Sequence, residues 1–300
     1  MCNLPPLIAF TLLLLVQLPS RAEILVKPGE SIAFLGDSIT YFGAYLKDTP
    51  YFSTENPGGY VRLVASGLAS QGVDVTVIPA GIGGNTSQHM LGRLEKDVLS
   101  KKPTWMTLSA GVNDVMHKAV ELEDYKVAIT AILDRAQQAG VKVVILTATQ
   151  IGPDLTGAAN VKLAGYNAWL RETAKARNLP LADLNAAMAA EQESLAKGGI
   201  QRALTTDGVH MNLYGNLMMA KGVLAALGLD DQQLAAVQAK WNEIPGTFQM
   251  AAKLALSLNE LAALETYAAR QNKSLETVVT ELSGKAVNAA ITAAPVKDTP

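Results

Sequence analysis

The residue pattern predicts an α/β protein in which a five-stranded parallel sheet carries helices on both faces. Three observations lead there. Short apolar runs occupy 31–35, 73–78, 104–108, 141–147 and 181–184. Longer amphipathic stretches at 59–69, 87–99, 122–139 and 161–177 separate them, and another follows at 213–227. Glycine-bearing polar segments follow the first three runs, where a doubly wound sheet keeps its ligands.

Each run can be justified in turn. Ser31-Ile32-Ala33-Phe34-Leu35 ends at Gly36-Asp37-Ser38, and the run at 73–78 leads to Gly81-Ile82-Gly83-Gly84-Asn85-Thr86. The run at 104–108 leads to Gly111-Val112-Asn113-Asp114. Val141-Lys142-Val143-Val144-Ile145-Leu146 is the clearest strand, and Gly140 before it stops the preceding helix. Leu181-Ala182-Asp183-Leu184 is the fifth. Right-handed crossovers and a flavodoxin-like strand order are expected, with the crevice at the carboxyl ends of the strands.

Composition agrees with a folded core. Of 300 residues, 49% are hydrophobic and 17% charged, so disorder is not expected. The net charge of −2 lacks the basic footprint of a nucleic-acid binder. Residues 7–18 are apolar except for Thr11 and Gln17, too short for an ordinary membrane span. With Ser20-Arg21-Ala22 behind them, residues 1–22 read as a signal peptide for a secreted or periplasmic protein. Kept uncleaved, the same stretch is a short anchor. Cys2 is the only cysteine, so cleavage removes thiol catalysis, disulfides and thiolate metal sites together.

The chain divides into a leader at 1–22, a main domain at 23–230 and a helical extension at 231–300. Within the extension, 258–270 and 275–282 read as helices joined by Gln271-Asn272-Lys273, with Ser274 as an N-cap. It carries no catalytic signal, and packing on the main domain or on a partner is its expected role. The sequence does not fix an oligomeric state.

Four segments carry chemistry. Ser38, between a strand end and a helix start, is an N-cap or a nucleophile. A serine hydroxyl needs a base, and His210 alone among three histidines has a carboxylate at fixed short spacing, Asp207. Asp207 can hold imidazole Nδ1 and leave Nε2 free. His89 reads as a rim or surface residue, and His117 can line the pocket. No zinc-binding histidine spacing exists, so a metal is not expected. Acyl transfer also needs fixed donors for the carbonyl oxygen. The backbone N–H groups of Ser38 and Gly84 and the side-chain amide of Asn113 are the candidates. The glycine loop fits neither Gly-x-Gly-x-x-Gly nor a Walker motif, which disfavours a nucleotide site.

Together these segments resemble the blocks of the SGNH (GDSL-type) hydrolase family, over residues 32–227. Gly36-Asp37-Ser38-Ile39-Thr40 is similar to the nucleophile block, and Gly84 to the oxyanion glycine. Gly111-x-Asn113-Asp114 is similar to the oxyanion asparagine block, and Asp207-x-x-His210 to the acid and base block. Where many relatives have an asparagine shortly before the second-block glycines, this chain has Pro79. The resemblance implies a flavodoxin-like fold and cofactor-free ester hydrolysis, in a family that spans lipases, lysophospholipases, thioesterases and carbohydrate acetylesterases. Asp37, Tyr41, Tyr45 and His117 are expected to contact the substrate. Tyr41, Phe42, Tyr45, Tyr51 and Phe52 crowd one stretch after the nucleophile, suited to stacking on sugar or gripping an acyl chain. The expected function is a secreted serine esterase acting on short-acyl, chiefly acetyl, esters of carbohydrate. A lipase or thioesterase of the same family is the alternative. From another class, the alternative is a non-catalytic carbohydrate-binding or scaffold protein that keeps the fold.

Overall fold

The computed structural model describes residues 23–41, 59–116, 120–197, 204–244 and 256–293. The chain runs β1 (Ser31–Gly36), α1 (Ser38–Tyr41), α2 (Tyr60–Ser70), β2 (Thr76–Gly81), α3 (Ser87–Asp97), β3 (Trp105–Ser109), α4 (Val112–Met116) and α5 (Leu122–Gln138). It continues β4 (Lys142–Leu146), α6 (Ala158–Ala176), β5 (Leu181–Ala182), α7 (Leu184–Lys197), α8 (Leu213–Ala226), α9 (Asp231–Asn242), α10 (Leu258–Arg270) and α11 (Leu275–Ala293). The five strands pair in parallel in the order β2-β1-β3-β4-β5, the flavodoxin-like order. Ile32 sits between Val77 and Trp105, and Leu108 pairs with Ile145.

The sheet is buried on both sides because its strands alternate between two cores. Ile32, Phe34, Trp105, Val144 and Leu146 face one core, shared with residues of α2, α7, α8 and α9. Ala33, Leu35, Met106, Leu108, Val143 and Ile145 face the other, shared with α3, α5 and α6. Strands with apolar residues on both faces are what a helix-covered parallel sheet requires. From β1 the chain turns one way to β2 and then crosses to β3 on the other side. The switch point therefore lies between the carboxyl ends of β1 and β3, which opens a crevice there.

Several elements depart from the sequence expectation, each for a local reason. β2 begins three residues later than the apolar run at 73–78. Val73 is buried in the turn after α2, where its N–H bonds the Leu68 carbonyl at 3.0 Å. Pro79 lies in β2 opposite Phe34, and β2 is an edge strand, where a missing N–H is tolerated. The fifth strand ends at Ala182 because Asp183 begins α7: its backbone carbonyl accepts from Ala187 N–H at 3.1 Å and its carboxylate from Ala186 N–H at 3.3 Å. α11 runs through Gly284 to Ala293, an interior glycine costing about 1 kcal/mol in a helix otherwise rich in alanine.

The C-terminal helices divide in their packing. α9 buries Val237 and Trp241 in the core under α2 and α8, and the Trp241 indole donates to Ser66 Oγ at 2.9 Å. In α10 and α11 only Ala268 and Val278 are buried. Ser274 caps α11 by accepting from Thr277 N–H at 3.1 Å. No described helix is long and apolar enough to cross a membrane.

Candidate active site

Ser38 opens α1 directly after β1, half-buried at the switch point. Its Oγ lies 2.8 Å from His210 Nε2, although the two residues are 172 positions apart. His210 Nδ1 in turn lies 2.6 Å from Asp207 Oδ2. The segment that presents both is a closed turn. Thr205 and Met211 form an antiparallel bridge, and Thr206 N–H bonds the His210 carbonyl at 2.8 Å. The other Asp207 oxygen accepts from the backbone N–H of Val209 at 2.9 Å and of His210 at 2.8 Å. Immediately afterwards Asn212 caps α8 by accepting from Gly215 N–H at 3.0 Å, which anchors the turn to a long buried helix.

Partial burial of Asp207 raises its pKa, but the imidazole, the two backbone donors and the His210 charge outweigh this and hold it down at about 2. The carboxylate is therefore ionised throughout the ordinary pH range. It accepts at Nδ1, which leaves Nε2 facing the serine in the form that takes a proton.

The second wall comes from the segment after β2. Ile82–Asn85 closes a turn through Asn85 N–H to the Ile82 carbonyl at 3.3 Å, with Gly84 as its third residue at φ +71°. That position of a type II turn needs positive φ, so glycine belongs there. A Cβ on Gly84 would meet nothing within 4 Å, so backbone conformation and not lack of space selects the residue. The backbone N–H groups of Ser38 and Gly84 donate to no group among the described residues. Asn113, in the first turn of α4, donates through Nδ2 to Asp37 Oδ2 and to the Asn85 carbonyl, both at 3.2 Å. Ser38, Gly84, Asn113, Met116, Asp207, Val209 and His210 line one open pocket.

Of the expected substrate contacts, Asp37 lies elsewhere. It is 2% exposed and absent from the pocket lining. Its carboxylate accepts from Ile39 N–H at 2.9 Å and from Asn113, so it supports the wall from behind. Burial pushes Asp37 up to about 6, against the Ile39 hydrogen bond and with the help of the Asp114 charge. Tyr41 ends α1, is half exposed, and is not among the residues that line the pocket. Tyr45 and His117 lie outside the described residues, as do Phe42, Tyr51 and Phe52. His89 is exposed and works as a helix cap, its Nδ1 3.2 Å from the Thr86 backbone nitrogen.

Four residues support the site, of which only Asp114 lies in one of the motif segments. Buried Asp114 accepts from Ser87 Oγ at 2.6 Å and Ser87 N–H at 3.0 Å, which ties α4 to the start of α3; burial raises its pKa against those bonds. Arg93 of α3 reaches back beneath the glycine turn. Asn167 of α6 brackets Ala148, accepting from its N–H at 2.8 Å and donating to its carbonyl at 2.9 Å. Asn160 similarly holds Ile151, whose neighbour Gly152 donates to the Gly208 carbonyl at 2.6 Å. The loop after β4 thus braces the turn that carries Asp207 and His210. Among the described residues, no group of three His, Cys, Asp or Glu side chains is placed to hold a metal.

Residues 34–217 match the GDSL-like Lipase/Acylhydrolase family. The chain belongs to that family. It is an ester-hydrolysing serine hydrolase, in a fold shared with solved members. It is 25% identical over 213 residues to the acetylxylan esterase of Geobacillus stearothermophilus, covering 67% of this chain and 95% of the relative. The crystal structure of that organism's acetylxylan esterase Axe2 superposes with a TM-score of 0.59 at 25% identity, over 69% of this chain and 97% of Axe2. A second acetyl xylan esterase structure, AlAXEase, is 31% identical with a TM-score of 0.57, over 65% of this chain and 98% of that one.

Proposed function

We propose that this family member is an exported esterase that removes acetyl groups from carbohydrate through Ser38, His210 and Asp207. The observation that carries the reading is the unbroken line of contacts from Ser38 Oγ to His210 Nε2 at 2.8 Å and from Nδ1 to Asp207 at 2.6 Å, at the floor of a pocket. Ser38 Oγ attacks the ester carbonyl carbon while His210 Nε2 takes its proton. The negative charge that develops on the carbonyl oxygen is met by the N–H groups of Ser38 and Gly84 and by the Asn113 amide. Both hydrogen bonds of that amide are long, so one N–H can turn to the oxyanion at little cost. Collapse expels the sugar alkoxide, which receives the proton from His210. Water then attacks the acyl-serine with His210 as base, releasing acetate and restoring Ser38.

The acyl group and its carrier are argued separately. Met116 and Val209 are the only apolar side chains among the described lining residues that could seat an acyl chain, enough for a methyl group. The acetylxylan esterases that this chain resembles supply the carbohydrate half of the reading. The apolar leader at 1–22 supports export. Turnover of p-nitrophenyl acetate and octanoate, together with acetate release from acetylated xylo-oligosaccharides, tests the specificity. The acetyl ester is expected to be preferred, with acetate released from the oligosaccharide. Preference for octanoate would move the substrate to lipids.

A further inference from the structure

Arg93 is an unusual residue for the inner face of an amphipathic helix. It follows buried Met90 by three positions, and its side chain is only 12% exposed. Its guanidinium makes four directed contacts. Nε donates to Asn85 Oδ1 at 2.7 Å, and Nη2 donates to the Gly36 carbonyl at 2.8 Å. Nη1 donates to the Ala80 carbonyl at 2.8 Å and to Asp97 at 3.0 Å. The two carbonyls belong to the ends of neighbouring strands, one residue before Asp37-Ser38 and one before Gly81. Asn85 closes the Gly84 turn, and its own carbonyl accepts from the Asn113 amide.

One planar group therefore touches the segments of two oxyanion donors and reaches the third through Asn85. Gly36 leads into Ser38, Asn85 follows Gly84, and Asn85 hands the connection on to Asn113. We infer that Arg93 is a positioning residue that sets the spacing of the three oxyanion donors. The inference rests on the oxyanion hole proposed above. Only a guanidinium suits these acceptors, because its forked donors diverge in one plane, whereas a lysine ammonium is a single point. Asp97, one helical turn on, fixes the plane. Arg93 touches neither Asp207 nor His210, so it acts through the backbone that carries Ser38 and Gly84 and not through the acid and base. The strands alone would leave the Gly36 and Ala80 segments free to shift against the glycine turn, and a misplacement of about 1 Å can cost about a hundredfold in rate.

The test measures p-nitrophenyl acetate kinetics and thermal midpoints for Arg93→Lys, Arg93→Met, Asn113→Ala and the double variant Asn113→Ala with Arg93→Lys. Arg93→Lys keeps a cation on a similar stem, which separates geometry from charge if Arg93→Met fails to fold. The expected result is a fall in kcat of about 10- to 100-fold for Arg93→Lys, with KM within about twofold of wild type and the pH profile unmoved. In the Asn113→Ala background the same change should cost clearly less than in the wild type, because one of the three donors it aligns is gone while the Ser38 and Gly84 N–H groups remain. Wild-type kcat in Arg93→Lys, a loss that follows the folded fraction, or additive losses in the double variant would overturn the inference while an impaired Asn113→Ala leaves the oxyanion hole standing. Wild-type kcat in Asn113→Ala would remove the oxyanion reading itself and the inference with it.

Discussion

Two aspartates of this site show how surroundings set the charge of one residue type. Asp207 stands at a half-exposed turn with three donors and is held at about 2, so its protonation cannot govern activity near neutrality. Asp37 is buried and lifted to about 6 from an ordinary 3.8. A carboxyl raised on folding binds its proton more tightly in the folded state. Its contribution to stability therefore falls as pH rises from about 4 to 6, by about 3 kcal/mol in all. Asp37→Asn removes that ionisation and keeps an oxygen for Ile39 N–H. Thermal melts from pH 4 to 7.5 should show the variant gaining on wild type as pH rises. A pH-independent difference would contradict this account of Asp37.

Among the elements, the helices after the strands hold the site by clamping backbone. Asn167 of α6 satisfies both the N–H and the carbonyl of buried Ala148, in the loop that braces Gly208. Asn167→Leu leaves both groups unpaired, and two such groups cost about 2–5 kcal/mol together. Urea unfolding should show a loss of that size, and a change below about 0.5 kcal/mol would contradict the clamp. These clamps also explain what the sequence concealed. Ser38, Asp207, His210, Gly84 and Asn113 announce themselves by residue type and spacing. Arg93, Asn160 and Asn167 act on backbone groups that no residue type marks, so only the fold reveals them. β1, β3 and β4 were legible because their apolar runs are short and bounded by turns. β2 was legible apart from its bounds and α7 was not, because Val73 and Leu184 are buried outside the ladder and lengthen or mislead the apolar pattern.

For the molecule as a whole, the parallel topology is what makes a site out of distant segments. β1 and β3 are neighbours in the sheet, so Ser38 and Asn113 end side by side. α8 lies against α2 and the sheet, fixed in part by the Asn216 side chain accepting from Tyr60 N–H at 3.0 Å, and it brings the Asp207–His210 turn over the same edge. A chain segment 172 residues from the serine thereby places His210 Nε2 within 2.8 Å of its hydroxyl. The whole assembly has a purpose only if Ser38 is its nucleophile. Reaction of the folded protein with a fluorophosphonate, followed by mass mapping of the labelled peptide, decides this. A single label on Ser38 is expected, with no label in Ser38→Ala and strongly slowed labelling in His210→Ala. A folded wild-type protein that takes no label, or a label on any residue other than Ser38, would refute the assignment.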